Sequence, residues 1–383
     1  MKPTRLEEKY PAIVDLAARA QRRIPHFAWS YLDSGTGMET CVARNRDALD
    51  SITLVPRLLQ GVMQTDVSTN LFGETYSVPF GIAPVGLTGL LWPRTEHILA
   101  TTAARHQIPY CLSTVATETP EVIGEAASGM GWFQLYPPRR REIRDQLLQR
   151  ARAAGFRVLV VTADVPTGSR RERQRRAGVH VPPKINLRTL YHCAIRPRWT
   201  LEVLLKGQPR FRTLEDYADK ADMQHMTSFI GRELGGSLDW DYLGELCDEW
   251  EGPVIVKGIL EPAQAQQAVS VGVDGIVVSN HGGRQFDGAP ASIQQLPAIR
   301  RAVGDDTRIL FDSGVRTGLD IARGLALGAD FILLGRAFVY AVAALGSRGG
   351  DHAFNILQQD LINNMMQLGC ENTPQLRERL STD

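Results

Sequence analysis

The chain predicts a single (β/α)8 barrel, an α/β fold of the TIM-barrel type, with a basic insertion between its fourth and fifth strands. Three observations carry that expectation. Eight short apolar runs recur along the sequence, each closed by Gly, Pro, Ser or Asp; amphipathic stretches of helix length follow most of them; and polar residues crowd at their carboxyl ends. Strands that alternate with helices pair in parallel, and eight such units most simply close on themselves. At 383 residues, 43% of them apolar, the chain is long enough to bury a core of that size.

The strands are expected at residues 79–83, 109–113, 132–135, 158–162, 254–257, 275–279, 309–312 and 331–334. Helices are expected at 95–106, 120–127, 141–154, 240–250, 262–271, 292–303 and 318–327, with 7–22 and 353–368 flanking the barrel. The whole chain, 1–383, then reads as one domain: a helical segment 1–78, the barrel 79–345 and a helical segment 346–383. One connection breaks the rhythm, because 163–253 is far longer than a usual strand-to-strand link. Its excess is the insertion, about 168–222, which springs from the carboxyl face where barrel active sites lie. Between Gly168 and Leu214 stand Arg170, Arg171, Arg173, Arg175, Arg176, Lys184, Arg188, Arg196, Arg198, Lys206, Arg210 and Arg212 against Glu172 and Glu202. That stretch is +10 in a chain whose net charge is +1, so the remainder is −9 and the insertion faces something anionic.

Composition excludes several classes. The five cysteines (Cys41, Cys111, Cys193, Cys247 and Cys370) are scattered and never form a CxxC pair, so neither a disulfide framework nor a zinc site is expected, and no metal is assigned. A reducing compartment fits that usage. The N-terminus mixes Glu7 and Glu8 with its basic residues and lacks the apolar core of a signal peptide. No apolar run reaches bilayer-spanning length, so the protein is expected to start out soluble and cytoplasmic.

Chemistry gathers at the strand ends: Gln134 and Tyr136 at the third, Thr162 and Asp164 at the fourth, Lys257 at the fifth, and Ser279-Asn280-His281-Gly282-Gly283-Arg284 at the sixth. The seventh and eighth end in Asp312-Ser313-Gly314-Val315-Arg316 and Gly335-Arg336. Gly-rich turns there either expose N–H groups to a phosphate, with Arg316 and Arg336 adding charge, or are ordinary tight turns. His281 is the candidate base, since adjacent glycines allow close approach and Arg284 supplies a cation to hold a carboxylate beside it. Asp164 either orients that ring or caps the next segment. Lys257 ends an apolar strand and points into the barrel mouth, either as a fixed cation beside a reduced cofactor or as a Schiff-base lysine. No GxGxxG follows the first strand, which argues against a nicotinamide site.

The run Ser279-Asn280-His281-Gly282-Gly283-Arg284-Gln285-Phe286-Asp287-Gly288 closely resembles the signature of the FMN-dependent 2-hydroxy acid dehydrogenase and oxidase family. Tyr31 with Ser34-Gly35, Ala83-Pro84-Val85-Gly86, Leu112-Ser113-Thr114, Trp132-Phe133-Gln134-Leu135-Tyr136, Thr162-Ala163-Asp164, Arg171 and Val256-Lys257-Gly258 extend the likeness over nearly the whole chain. The resemblance implies FMN as cofactor and oxidation of an L-(S)-2-hydroxy acid, of the L-lactate or (S)-mandelate type, to the 2-oxo acid. It implies His281 as the base with Asp164 beside it, and Arg171 and Arg284 as the carboxylate clamp. Tyr31 and Tyr136 would hydrogen-bond the substrate, and Lys257 would stand beside the flavin. The flavin would also touch Ala83, Pro84, Val85, Gly86, Ser113, Gln134, Thr162, Ser279, Asp312 and Ser313, with its phosphate on Gly314, Arg316, Gly335 and Arg336. Gly86 and Val115 stand where some oxidases carry bulkier residues, which implies a roomier pocket. Phe286 replaces the family's usual leucine.

The insertion mixes leucines and aromatics with its positive charge around Leu187-Arg188-Thr189-Leu190-Tyr191 and Trp199-Thr200-Leu201-Glu202-Val203-Leu204-Leu205. That composition suits an anionic membrane surface, where each basic residue contributes ~1 kcal/mol. The resemblance to membrane-bound bacterial lactate and mandelate dehydrogenases implies a peripheral place on the inner face of the inner membrane, a quinone acceptor and a homotetramer. A solvated lid over the flavin is the plainer reading, and no motif supports nucleic acid. The rival functions are a soluble oxidase that makes peroxide and a non-catalytic flavin-binding barrel.

Overall fold

The computed structural model describes residues 5–178, 187–218, 223–234 and 238–381. Before the barrel come α1 (Arg5–Lys9), α2 (Ile13–Arg23), α3 (His26–Asp33), α4 (Thr40–Asp50) and a hairpin of β1 (Thr69–Leu71) and β2 (Glu74–Tyr76). The barrel proper alternates β3 (Phe80–Ile82), α5 (Thr95–His106), β4 (Tyr110–Ser113), α6 (Pro120–Ala127), β5 (Gly131–Leu135), α7 (Arg141–Ala153) and β6 (Val158–Thr162). The long connection after β6 contributes α8 (Glu172–Arg176), α9 (Leu187–Ala194) and α10 (Pro197–Lys206) from the insertion and, beyond it, α11 (Met223–Glu233). The alternation resumes with α12 (Trp240–Glu249), β7 (Val254–Ile259), α13 (Pro262–Ser270), β8 (Gly275–Val278), α14 (Ser292–Val303), β9 (Arg308–Phe311), α15 (Gly318–Ala326), β10 (Phe331–Leu334), α16 (Arg336–Leu345) and α17 (Gly349–Gln367). Strands β3 to β10 are all parallel and close into one barrel, β10 pairing with β3 through Ile332 opposite Phe80.

All eight expected strands form, and the differences have local causes. Pro11 removes an N–H and obstructs the preceding turn, so the helix expected over 7–22 splits into α1 and α2, the second opening where the Asp15 carboxylate accepts from the Ala12 N–H. The 1–78 segment is not wholly helical, since β1 and β2 form an antiparallel hairpin. Helix α16 was not expected because every residue from Ala337 to Leu345 is buried, which leaves no polar stripe to mark its period. Lys184, with the end of the insertion at 219–222, lies outside the described residues.

Period-two alternation sorts each strand into an outer and an inner face. Leu159 and Val161 of β6 pack outward against the helices, whereas Val158 and Val160 fill the interior with Cys111, Trp132, Ile255, Val277, Leu310, Phe331 and Leu333. Leu71 and Tyr76 of the hairpin join that inner cluster, where Trp132 donates to the Tyr76 hydroxyl at 3.2 Å. Counting two residues onward from the inner apolar positions reaches the carboxyl ends of the strands, at Ser113, Gln134, Thr162, Lys257, Ser279, Asp312 and Gly335. The same alternation that builds an apolar interior thus sets a polar layer above it.

Candidate active site

Lys257 is the clearest product of that alternation. Its neighbour two residues back, Ile255, is interior, so Lys257 is interior too and only 4% exposed. Its Nζ donates to Ser279 Oγ at 2.7 Å and stands 3.1 Å from Asp312 Oδ2 and 3.8 Å from Asp164 Oδ2. Burial alone would lower its pKa, but Asp312 and Asp164 more than reverse this and hold it above the ordinary lysine value. An amine held protonated is a fixed cation and not a Schiff-base nucleophile. The strand shifts register just beyond it, at Gly258, whose φ is +108° and where an added Cβ would stand 2.5 Å from the Asp164 side chain. Only glycine permits both the bulge and that approach.

His281 sits in a short turn whose backbone is left-handed at three successive residues, with φ of 57° at His281, 64° at Gly282 and 72° at Gly283. Side chains hold this shape: Ser279 Oγ accepts from the His281 N–H at 3.0 Å, Ser313 Oγ from Gly282 at 3.0 Å, and Asn280 Oδ1 from Gly283 at 3.2 Å. Asn280 is itself locked by a reciprocal amide pair with Asn45, at 3.0 and 2.7 Å. The ring is thereby aimed so that Nδ1 lies 2.7 Å from Asp164 Oδ1 and Nε2 lies 3.5 Å from the Tyr136 hydroxyl. The short contact to a carboxylate assigns the Nδ1 proton, which leaves Nε2 as the basic atom. Burial lowers the His281 pKa despite the opposing pull of Asp164, so the ring is neutral at neutral pH. Burial acts to raise Asp164, but His281 and Lys257 outweigh it and keep the carboxyl below the ordinary aspartate range. Asp164 therefore orients the ring, and the capping alternative falls away. Burial pushes Tyr136 up to about 12, so its hydroxyl stays protonated.

These groups open onto one cavity of about 290 Å3. Tyr31, Ala83, Pro84, Val85, Gly86, Gln134, Tyr136, Thr162, Arg171, Lys257, His281, Arg284, Asp312, Ser313, Gly314, Arg316, Gly335 and Arg336 all line it. Ser113, Asp164 and Ser279 stand behind the lining, Ser113 donating to Gln134 Oε1 at 2.7 Å. The structure also adds Leu32, Val165, Ile230 and Leu234 to the wall. Ile230 and Leu234 come from α11 and the residue after it, anchored where the Arg139 N–H donates to Glu233 O at 2.9 Å and Pro138 bridges Leu234. Apolar residues so far along a connection carry no sequence signal of a site.

The arginines are held by partners that sequence reading missed. Arg171, with φ 45°, donates from Nη2 to Gln285 Oε1 and from Nε to Ser169 Oγ, both at 2.9 Å. Arg284 Nη1 donates to Tyr31 O and Ser34 O, both at 2.9 Å, and its guanidinium lies 5.3 Å from the Tyr31 ring centroid. Burial, together with the Arg171 and Arg336 charges, draws the Arg284 pKa down to about 9, which still leaves it charged at neutral pH. Mutual repulsion among cations in one cavity is relieved by an anion.

The two glycine turns differ. The helix after the first, α15, is already capped: Asp320 accepts from the Arg316 and Thr317 N–H groups and Asp360 from Gly318. The helix after the second, α16, has no side-chain cap and opens from Gly335 on the cavity wall. Of the two turns the second opens an uncapped helix, and Ser313, Gly314 and Arg316 of the first line the same cavity. Arg336 donates to Leu32 O, Gly282 O and Ser34 O at 3.2, 3.0 and 2.9 Å, tying α3 to the His281 turn. Asp312 lines the same cavity and is the counter-ion of Lys257.

The family model of FMN-dependent dehydrogenases matches residues 20–382. The chain is 41% identical over 352 residues to L-lactate dehydrogenase of Xanthomonas euvesicatoria pv. vesicatoria (strain 85-10), covering 91% of this chain and 90% of that one. It is 39% identical over 371 residues to the L-lactate dehydrogenase of Ectopseudomonas mendocina (strain ymp), covering 96% and 98%. Among solved structures, the monotopic membrane protein (S)-mandelate dehydrogenase superposes with a TM-score of 0.93 at 32% identity, covering 97% of this chain and 99% of that one. Mandelate oxidase gives 0.83 at 30% identity, covering 98% of each.

Proposed function

The chain belongs to the FMN-dependent dehydrogenase family, and from that premise we propose that it oxidises an L-2-hydroxy acid, of the lactate or mandelate type, to the 2-oxo acid. The single observation that carries this reading is the imidazole of His281, locked on Asp164 at 2.7 Å and facing a cavity with Arg171 and Arg284 on its wall. FMN, when bound, takes up the two electrons that leave the substrate. The uncapped start of α16 with Arg316 fits its phosphate, and Lys257 fits the negative charge it gains on reduction. Arg171 and Arg284 hold the substrate carboxylate, Tyr31 and Tyr136 direct its hydroxyl, and His281 Nε2 takes a proton from the CH–OH group. Asp164 then stabilises the imidazolium.

Anaerobic mixing of the yellow holoenzyme with L and D 2-hydroxy acids tests this. The L forms of lactate or mandelate are expected to bleach the flavin and the D forms to leave it oxidised; equal bleaching by both would end the stereochemical assignment. Because His281 acts as the neutral base and burial lowers its pKa, kcat/KM should be flat through neutral pH and fall only below about pH 6.5. Asp164→Asn removes the charge that supports the imidazolium, so the surviving rate should carry its acid limb at still lower pH. A limb that moved upward would contradict the pairing.

The substrate's side chain meets an apolar wall of Gly86, Val115, Val165, Ile230 and Leu234. Gly86 is closely fitted, since a Cβ there would stand 2.4 Å from Val115 Cγ2. A larger residue on this wall selects by size, an effect of roughly 1–3 kcal/mol for small changes in an apolar pocket. Ile230→Phe is expected to lower kcat/KM for (S)-mandelate about tenfold relative to L-lactate. Equal losses on the two substrates would remove α11 from the side-chain pocket.

Helices α9 and α10 expose Leu187, Leu190, Tyr191, Leu201, Leu204 and Leu205 beside the insertion's basic residues. No helix among the described residues is long and apolar enough to cross a membrane. The exposed leucines among basic residues support peripheral attachment to an anionic membrane surface; we propose the inner face of the inner membrane as its place, a membrane quinone as the electron acceptor and a homotetramer as the assembly.

A further inference from the structure

The root of the α9–α10 hairpin carries a feature that the catalytic cavity does not use. Helix α10 is bolted to the N-terminal helices: Trp199 Nε1 donates to Leu90 O at 3.2 Å and its ring meets Phe27 edge-on at 5.7 Å, while Arg196 Nε donates to Ile24 O at 3.2 Å. Beside this joint the Arg23 guanidinium stacks on Trp92, 3.7 Å from the ring centroid. Burial, with the charges of Arg19, Arg198 and Arg348 and against that of Glu202, brings the Arg23 pKa down to about 10. Arg19 Nε donates to Ala344 O at 2.8 Å and Arg23 Nη1 to Ala343 O at 3.1 Å, so these two cap the end of α16. That role explains neither Arg198 nor Arg348, both exposed at the rim, nor the Arg23 Nε, which is shut from solvent without a hydrogen-bond partner.

We propose that Arg19, Arg23, Arg198 and Arg348 form a cradle for the phosphate of an anionic phospholipid headgroup. The proposal rests on the membrane reading above and makes it specific. Four guanidinium groups against one carboxylate leave a local excess of positive charge, and their planar forks match phosphate oxygens. Helix geometry then places the rest of the lipid. Leu201 and Leu205 follow Arg198 by three and seven residues and share its face of α10, and both are exposed, so a phosphate in the cradle lays its acyl chains along them. An anionic peptide or soluble metabolite would have no use for that apolar row. Trp92 at the back gives the cradle an aromatic floor that keeps Arg23 in place.

Sedimentation of the FMN-loaded protein with vesicles tests the cradle, using phosphatidylcholine alone or a phosphatidylcholine and phosphatidylglycerol mixture. Wild type is expected to partition at least tenfold more onto the mixed vesicles. The variant R198Q/R348Q removes the two rim cations without touching the caps of α16, and R188Q/K206Q removes the same formal charge elsewhere on the insertion. The cradle predicts that R198Q/R348Q loses at least tenfold more phosphatidylglycerol binding than R188Q/K206Q. Equal losses would overturn it in favour of diffuse attraction. Wild type that bound both vesicles equally would also overturn it while leaving the membrane reading intact, whereas wild type that bound neither would end both. Unchanged flavin content and melting temperature in each variant separate loss of binding from loss of fold.

Discussion

His281→Asn is expected to slow substrate oxidation by roughly 10²–10⁴-fold, the range of a well-placed general base. Asparagine is the informative replacement because it tolerates the left-handed backbone that His281 adopts at φ 57°. The turn should therefore survive, with Ser279, Asn280 and Ser313 still holding it. The variant removes the proton acceptor at Nε2 and leaves Arg171, Arg284 and Lys257 in place, so FMN content and affinity for the 2-oxo acid product should stay within about threefold. Stopped-flow reduction of the flavin gives the rate, and titration with product gives the binding. A loss under tenfold would show that another group takes the proton. An equal collapse of product binding would show instead that the turn had been lost.

How much of this was legible beforehand follows from what the sequence encodes locally. Strand positions were readable because buried parallel strands are short apolar runs, and the polar residue at the end of each run lies two positions beyond an interior one. Lys257 was placed in the mouth by that reasoning, and His281 stood out by its glycines. Illegible were the partners that arrive from distant chain segments. Asp312 looked like part of a phosphate turn, yet it faces Lys257 because β7 and β9 flank the same stretch of barrel wall; Asp320 and Asp360 occupy the helix start that the turn was expected to offer. Arg336, on the cavity wall, also binds carbonyls of α3, 304 residues away, and of the His281 turn, 54 residues away, which no local pattern announces. Helix α11 reaches the cavity through its anchorage on the loop after β5, a contact with no signature in either partner.

The other large effect is expected at Lys257. Replacing it with Met leaves Asp312 and Asp164 facing each other in a buried layer with no cation, and breaking a buried ionic group by removing one partner costs ~3–5 kcal/mol. For a chain of 383 residues that is a fall of roughly 4–6 °C in melting temperature. The pH dependence carries the sharper test. In the wild type the raised Lys257 pKa stabilises the fold fully at neutral pH and is lost only in strong alkali, whereas the lowered Asp164 pKa stabilises above the ordinary aspartate range and is lost in acid. Without the lysine the Asp164 pKa must rise in the folded state, and a group whose folded pKa rises favours folding more as pH falls. The gap in melting temperature between wild type and Lys257→Met should therefore narrow from about pH 8 to about pH 5. Adding Asp312→Asn removes the stranded charge and should recover most of the loss at pH ~8, a coupling that independent sites would not show. A gap that ignored pH, or a double variant with additive losses, would mean that the lysine is held by packing and not by its two carboxylates. If Lys257 serves the flavin as proposed, reduction should stay slow in both variants, because neither restores its positive charge.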